Sequence, residues 1–333
     1  MATGNLVGSE LSIVGIAKQT TQGTGVAATN FLRHTDVKPQ PNIPYLDDMS
    51  FQGDMAKIHD KIQGPTSTSF ELSTNLFADE VGWPLASLLG DLTVTGTQDP
   101  FTTTFSLLNS GQGQTKYYTL TDWNGVNATQ YVDCKANELS LAFTADGLVT
   151  CDSKWDGISI SAVSSTQPTA SYLTTRAQPA WRAAVSINSL VGPLVQDISL
   201  DLKRTNIPVP AMQSTQSQPV AAIYNAGDFD YTGSATVVFD STNGETIYNY
   251  YKAGTIIPLT VDLTVSETNA HEVKFVSTQT QITMATVQRA SANFVTLAIQ
   301  FEGIANTTDV GTSGMRAPVK VTTKSPTASG TYA

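Results

Sequence analysis

The strongest constraint on this chain is a two-residue alternation of apolar and polar side chains. Leu139, Leu141 and Phe143 alternate with Ser140, Ala142 and Thr144, and Val295, Leu297, Ile299 and Phe301 alternate with Thr296, Ala298, Gln300 and Glu302. Successive side chains of a strand point to opposite faces, so these segments must be strands with one buried face and one wet face. Less regular stretches of the same kind, many rich in Thr and Val, cover 102–107, 117–121, 183–187, 198–202, 236–239 and 259–265. The fold expected is mainly β. Helical patterning is confined to two short segments. In one, Val81, Leu85, Leu88 and Leu89 share a face, with Pro84 in the first turn and Gly90 as the stop; in the other, Asn243 caps a face of Ile247, Tyr250 and Tyr251 that ends at Gly254.

Register can be read at Ala145-Asp146-Gly147. A two-residue turn sets Phe143 opposite Thr150 and mixes core with solvent, whereas a three-residue loop with Gly147 left-handed sets Phe143 opposite Val149 and Leu141 opposite Cys151. The second choice keeps the apolar face apolar. It also places Cys134 opposite Ile158, about 23 Å from Cys151 and far outside disulfide reach.

Both halves of the 333 residues follow one order: a strand pair, a long polar loop containing Asn-Ile-Pro (42–44, then 206–208), a strand, a short helix ending in Gly, further strands and a long hairpin. This order predicts a first module over 1–160, a Ser/Thr/Gln-rich linker over 161–178, a second module over 179–306, and an exposed tail or arm over 307–333.

Chemistry is hard to place on this pattern. Charged residues make up 14% of the chain, the formal charge is −10, and no Lys/Arg run exceeds two, which disfavours nucleic-acid binding through counter-ion release. No apolar run suits a signal peptide or a membrane span, so a cytoplasmic protein is expected. The three histidines are isolated, and Cys134 and Cys151 match no metal motif. Gly23 to Ala28 imitates a dinucleotide-binding glycine pattern, but an extended stretch follows instead of a helix. Neither a nucleophile elbow nor a phosphate-binding loop is present. Asp47-Asp48, Asp79-Glu80 and the Asp152/Asp156 pair are expected to be solvated acids. No catalytic, cofactor or metal residue is assigned, and no enzymatic activity is expected.

Several segments, taken in order, resemble the tail tube (major tail) proteins of long non-contractile-tailed bacteriophages. They are Gly15 to Leu32 with its Gly-Thr turn, Ser69 to Gly90 with its strand and helix, Trp155-Asp156-Gly157, Ile198 to Arg204, Gly233 to Phe239, and the helix at 245–254. The likeness spans roughly 13–306. It implies two β-barrel or β-sandwich modules, each with a flanking helix and a long loop, in a subunit that polymerises into stacked rings forming the hollow conduit for the genome. The partners it implies are further copies of the chain, the tape-measure and tail-end proteins, and DNA in transit, with no cofactor and no membrane insertion. The location it implies is the virion tail, after assembly in the bacterial cytoplasm. Two modules per chain in a roughly six-fold tube predict a trimeric ring, the alternative being a hexamer with the second half outside.

On that reading the wet face of the hairpins lines the lumen, through Glu138, Ser140, Thr144, Thr150, Asp152, Thr296, Gln300 and Glu302. Inter-ring contacts fall to loops 36–61 and 205–230, through Pro41, Ile43, Pro44, Tyr45, Asp47, Met49 and Phe51, and through Ile207, Pro208, Val209 and Met212. A compact β-sandwich receptor-binding or adhesion protein of a virion answers to the same strand pattern. A β-rich hydrolase would need an acid pair converging in a cleft.

Overall fold

The computed structural model describes residues 8–190, 195–210, 212, 220–264, 270–289, 294–328 and 330–332, without the side chains of 161–163, 220–221 and 226. The first half contains β1 (Ile13–Lys18), β2 (Asn30–Leu32), β3 (Asp36–Asn42), β4 (Tyr45–Asp48), β5 (Asp60–Gln63), β6 (Ser67–Asn75), α1 (Gly82–Leu88), β7 (Gly90–Thr95), β8 (Phe101–Leu107), β9 (Tyr118–Trp123), β10 (Ala128–Thr144), β11 (Thr150–Gly157) and β12 (Ser159–Ser164). The second half contains β13 (Ala183–Ile187), β14 (Val195–Pro210), β15 (Val220–Val238), α2 (Asn243–Ala253), β16 (Ile256–Thr264), β17 (Glu272–Gln288), β18 (Thr296–Gly303) and β19 (Lys320–Ser325).

One long antiparallel sheet dominates, in the order β3-β6-β11-β10-β14-β15-β18-β17. The alternation read from sequence is obeyed across it. Leu139, Leu141, Phe143, Cys151, Leu200, Leu202, Leu297, Ile299 and Phe301 are all buried, while their neighbours along each strand face outward. Burying each such Leu, Ile or Phe contributes roughly 1.5–3 kcal/mol. The apolar face is closed on the first half by β2-β1-β9, which continue onto the start of β10, and by α1. On the second half β13-β16-β17 and α2 do the same. One buried cluster runs through both halves, from Ile16 and Leu120 to Val261 and Phe275.

The two halves repeat one strand order, β3-β6-β11-β10 and β14-β15-β18-β17, with a helix following the second strand of each. They are not separate bodies. β10 pairs with β14 across the boundary, and β19 lies between β8 and β17.

Several local expectations need correction. Leu141 does face Cys151, but Gly147 is not left-handed. Residues 178–180 hold the connection in its place: Val149 N–H donates to Gln178 O at 2.9 Å and Ala180 N–H to Gly147 O at 3.0 Å. A bulge at Asn137 shifts the register further down the hairpin, so Cys134 abuts Gly157 instead of Ile158; both cysteines are buried and free. The α2 cap is Asp240, not Asn243: its carboxylate accepts the N–H groups of Thr242, Asn243 and Gly244 at 3.0, 2.5 and 3.0 Å, which holds the acid below the usual carboxylate range. Gly254 closes that helix at φ 63°, as its position implied.

The segment 307–333 is no exposed arm. Beyond β19, the Tyr332 ring is buried against Trp83 with centroids 5.1 Å apart, and its hydroxyl donates to Asp79 O at 2.6 Å. Gly82 permits this contact, since a Cβ there would sit 2.3 Å from the Tyr332 ring. The segment 161–178 likewise begins as β12 and returns to α1, where Thr175 is buried.

Candidate functional site

The outward face of the long sheet is banded, because antiparallel register places like positions side by side. One row reads Lys38, Glu71, Lys154, Glu138, Lys203, Asp230 across six strands, alternating in sign. At its centre Glu138 sits 2.8 Å from Lys154 Nζ and 3.0 Å from Lys203 Nζ. Burial pushes the Glu138 carboxyl up, but the two lysines outweigh it and hold the acid below its ordinary range. The next row reads Asp36, Ser73, Asp152, Ser140, Asp201, Thr232, Glu302, Gln281 and carries no cation. Within it Ser140 donates to Asp201 at 2.5 Å. A third row, Asn75, Thr150, Ala142, Ser199, Ser234, Gln300, Met284, is uncharged. Thr144, Asp197, Thr236 and Ala298 follow, and Thr296 lies beyond them on β18.

All eight residues expected to line a lumen therefore share one face of one sheet. With Asp197, these rows hold three lysines against eight carboxylates, a net −5, half the formal charge of the whole chain. The row of alternating charge was invisible in sequence, because its members come from strands up to 192 residues apart (Lys38 to Asp230).

The two segments expected as irregular loops are mostly β structure. After β3, the chain forms a two-stranded hairpin, β4 on β5, that joins no other strand among the described residues. Tyr45, Met49 and Phe51 are exposed there, Phe51 completely, together with Ile43 at its base and Leu46, Met55 and Ile62. Pro41 and Pro44 are exposed, while Asp47 reaches Lys61 at 3.5 Å. A lone hairpin is marginally stable in water, and exposed apolar patches are common at protein contact surfaces. The second arm is the outer part of β14 and β15, where Ile207, Pro208 and Val209 pair with Tyr224, Ile223 and Ala222. Ile207, Val209, Tyr224 and Met212 are exposed, as is Pro208.

A buried polar network fixes the base of this second arm. Asn225 Oδ1 accepts from Lys135 Nζ at 2.9 Å and from Thr115 N–H at 3.1 Å, and Asn225 Nδ2 donates to Asn206 Oδ1 at 2.9 Å. Burial, with Arg204 nearby, lowers the Lys135 ammonium to about 7.

Asp79 and Glu80, expected to be solvated, are instead buried around Arg33. Arg33 Nη2 lies 2.8 Å from Asp79 Oδ2, and Arg33 Nε pairs with Glu80 Oε1. One cation cannot fully offset two carboxylates, and burial, with Asp79 adding to it, raises Glu80 to about 7 although Arg33 opposes the shift. Arg33 also donates to Thr175 O at 2.9 Å, which ties the 161–178 segment to α1. Asp156 accepts from Asn137 at 2.8 Å and Asn206 at 3.2 Å and so belongs to the arm base, apart from exposed Asp152. Among the described residues no cluster of His, Cys, Asp and Glu is placed to hold a metal ion, and no helix is long and apolar enough to cross a membrane. The 23–28 glycine segment is a turn, with Gly23 N–H donating to the Asp133 carboxylate at 2.8 Å.

Residues 9–305 match the model of a family described as phage tail tube protein. No curated protein matches the chain.

Proposed function

The chain belongs to the phage tail tube protein family and is a structural subunit of the virion tail, and from that premise we propose that its copies close into rings that stack as the conduit for the genome. The observation that carries this reading is the acidic and neutral face of the long sheet. Phosphates passing a basic wall would bind by releasing counter-ions, whereas a wall of net −5 leaves DNA mobile. That half the chain's charge collects on one face speaks for a lining over general solubility.

The division into a first module (1–160), a connecting segment and a second module (179–306) is part of this proposal, supported by the repeated strand order. Three such chains close a ring of pseudo-six-fold symmetry, and the even strand number keeps the sheet antiparallel around the circle. The β4–β5 hairpin and the β14–β15 arm reach the adjacent ring, each burying apolar side chains that are otherwise exposed. Assembly takes place in the bacterial cytoplasm around the tape-measure protein, with tail-end proteins closing the tube and DNA crossing it only in transit.

Electron microscopy of the purified protein tests the reading. Hollow tubes with three chains per ring are expected. Discrete particles would overturn the tube, and six chains per ring would overturn the trimer.

A further inference from the structure

We propose that the chain staples itself covalently at the base of its second arm: the Lys135 amine displaces the side-chain amide nitrogen of Asn225, forming an isopeptide bond between β10 and β15 and releasing ammonia. The step lies within one chain, goes beyond the reading above and does not depend on it.

The fold brings the two reacting groups together from positions 90 residues apart. Lys135 is fully buried on β10, with its nitrogen 2.9 Å from Asn225 Oδ1 and 3.0 Å from Gln114 Oε1. Both acceptors are neutral amides. Among the described residues no carboxylate pairs with the amine; the charge near it is the guanidinium of Arg204, and the Tyr117 ring lies 4.5 Å away. Because burial and Arg204 lower the ammonium to about 7, a large share of this amine is uncharged near neutral pH. Its two hydrogens then satisfy the two amide oxygens, and its electron pair is left free for attack.

Asn225 is the better placed of the two amides. Its Oδ1 also accepts the Thr115 N–H at 3.1 Å and the Thr115 hydroxyl at 2.9 Å, so two donors besides the amine are already aimed at the oxygen on which negative charge would develop. Its Nδ2 donates to Asn206 Oδ1 at 2.9 Å, and Asn206 is anchored in turn on Lys135 O and Ala136 O at 3.2 Å each, which holds the amide beside the amine. Gln114 Oε1 receives one donor besides the amine, the Asn225 N–H, and its side chain is only half-buried.

The step balances without a cofactor. Nζ adds to Cγ of Asn225, the carbonyl electron pair moves onto Oδ1, and one of the two amine protons passes to Nδ2. The carbonyl then re-forms, the Cγ–Nδ2 bond breaks with its electron pair on nitrogen, and ammonia leaves; Nζ keeps its second proton as the new amide N–H. Nothing is oxidised or reduced. The product also removes an amine charge from the interior, where an ammonium without a carboxylate is costly to keep.

The test is the mass of the purified full chain. Intact mass spectrometry should show a loss of about 17 Da, the mass of ammonia. Trypsin should release residues 117–154, uncut at Lys135, joined to 205–252. Lys135→Arg and Asn225→Ala should each keep the unreacted mass. The peptide map is read on the unsubstituted chain, so it stands whether or not either variant folds. A chain that retains its full mass after prolonged incubation at mildly alkaline pH would overturn the staple. A mass loss that survives in Lys135→Arg, as a succinimide formed by an asparagine alone would give, would overturn it too. Linkage of 117–154 to 62–116 would make Gln114 the acceptor and overturn the assignment to Asn225.

Discussion

Reversing the charge at Glu138 should destabilise the dissociated subunit in a salt-dependent way. Its carboxylate lies between Lys154 and Lys203 at 2.8 and 3.0 Å, and is 20% exposed against 48% and 53% for the lysines. Half-exposed pairs of this kind are worth about 0.2–1 kcal/mol each, so Glu138→Gln should cost about 1 kcal/mol. Glu138→Lys also sets three like charges side by side on adjacent strands, which adds a similar amount and brings the loss to about 2 kcal/mol. Urea unfolding monitored by tryptophan fluorescence measures both. Near 1 M salt the screening length falls to about 3 Å, and more than half of the Glu138→Lys penalty should disappear. Asp152→Asn, two residues along the neighbouring strand and in a row without cations, should change stability by no more than about 0.5 kcal/mol or raise it slightly. A Glu138→Lys variant as stable as the parent, or one whose loss ignores salt, would refute the ion-pair row. So would an Asp152→Asn loss as large as that of Glu138→Gln.

Excising Tyr45–Gln63 and bridging Pro44 to Gly64, whose N–H already reaches Pro44 O at 2.8 Å, should leave a folded subunit by circular dichroism that forms no tubes; tubes of normal length would remove the hairpin from assembly. Asp152→Lys combined with Glu302→Lys should permit assembly yet slow DNA release in a phage ejection assay, and unchanged release would place these side chains outside the conduit. Glu80 is held protonated to about 7 by burial and Asp79, above its ordinary 4.5. The folded state thus binds the extra proton between these values, and the subunit should lose up to about 3 kcal/mol as pH rises from 4.5 to 7. Glu80→Gln should flatten that slope in urea titrations, and an unaltered slope would assign the pH dependence elsewhere.

Strand faces were legible in the sequence because alternation is a local property: Leu139 to Phe143 and Leu297 to Phe301 had to be buried together whatever the tertiary fold. Helix ends at Gly90 and Gly254 were legible for the same reason. What escaped depended on distant partners. Gly147 is held out of the left-handed region by residues 178–180, and Asp79 and Glu80 look like surface acids until Arg33 is brought against them. The arms look like loops in the sequence because they are long and lack a clear periodicity, and Pro39, Pro41, Pro208 and Pro210 within them are poor strand residues. They are tolerated because, among the described residues, β3 is an edge strand and the outer parts of β14 and β15 pair only with each other. The tail at 307–333 had too little alternation to reveal β19, whose register is imposed by β8 and β17 on either side.

On the proposed ring of paired modules, the joint between β10 and β14 also bears on why two halves should share one chain. A ring of single modules must form every one of its joints between separate molecules, and each association costs translational and rotational freedom. Joining modules in pairs makes alternate joints intramolecular, where the partner is present at the high effective concentration set by a short connection. The connection here is held at both ends: its start pairs with β10 as β12, and at its close Arg33 donates to Thr175 O and Gln178 bonds to Leu76 and Val149. The internal joint is therefore formed before any ring exists, and it can carry ion pairs such as Glu138 to Lys203 that a transient contact would secure less well.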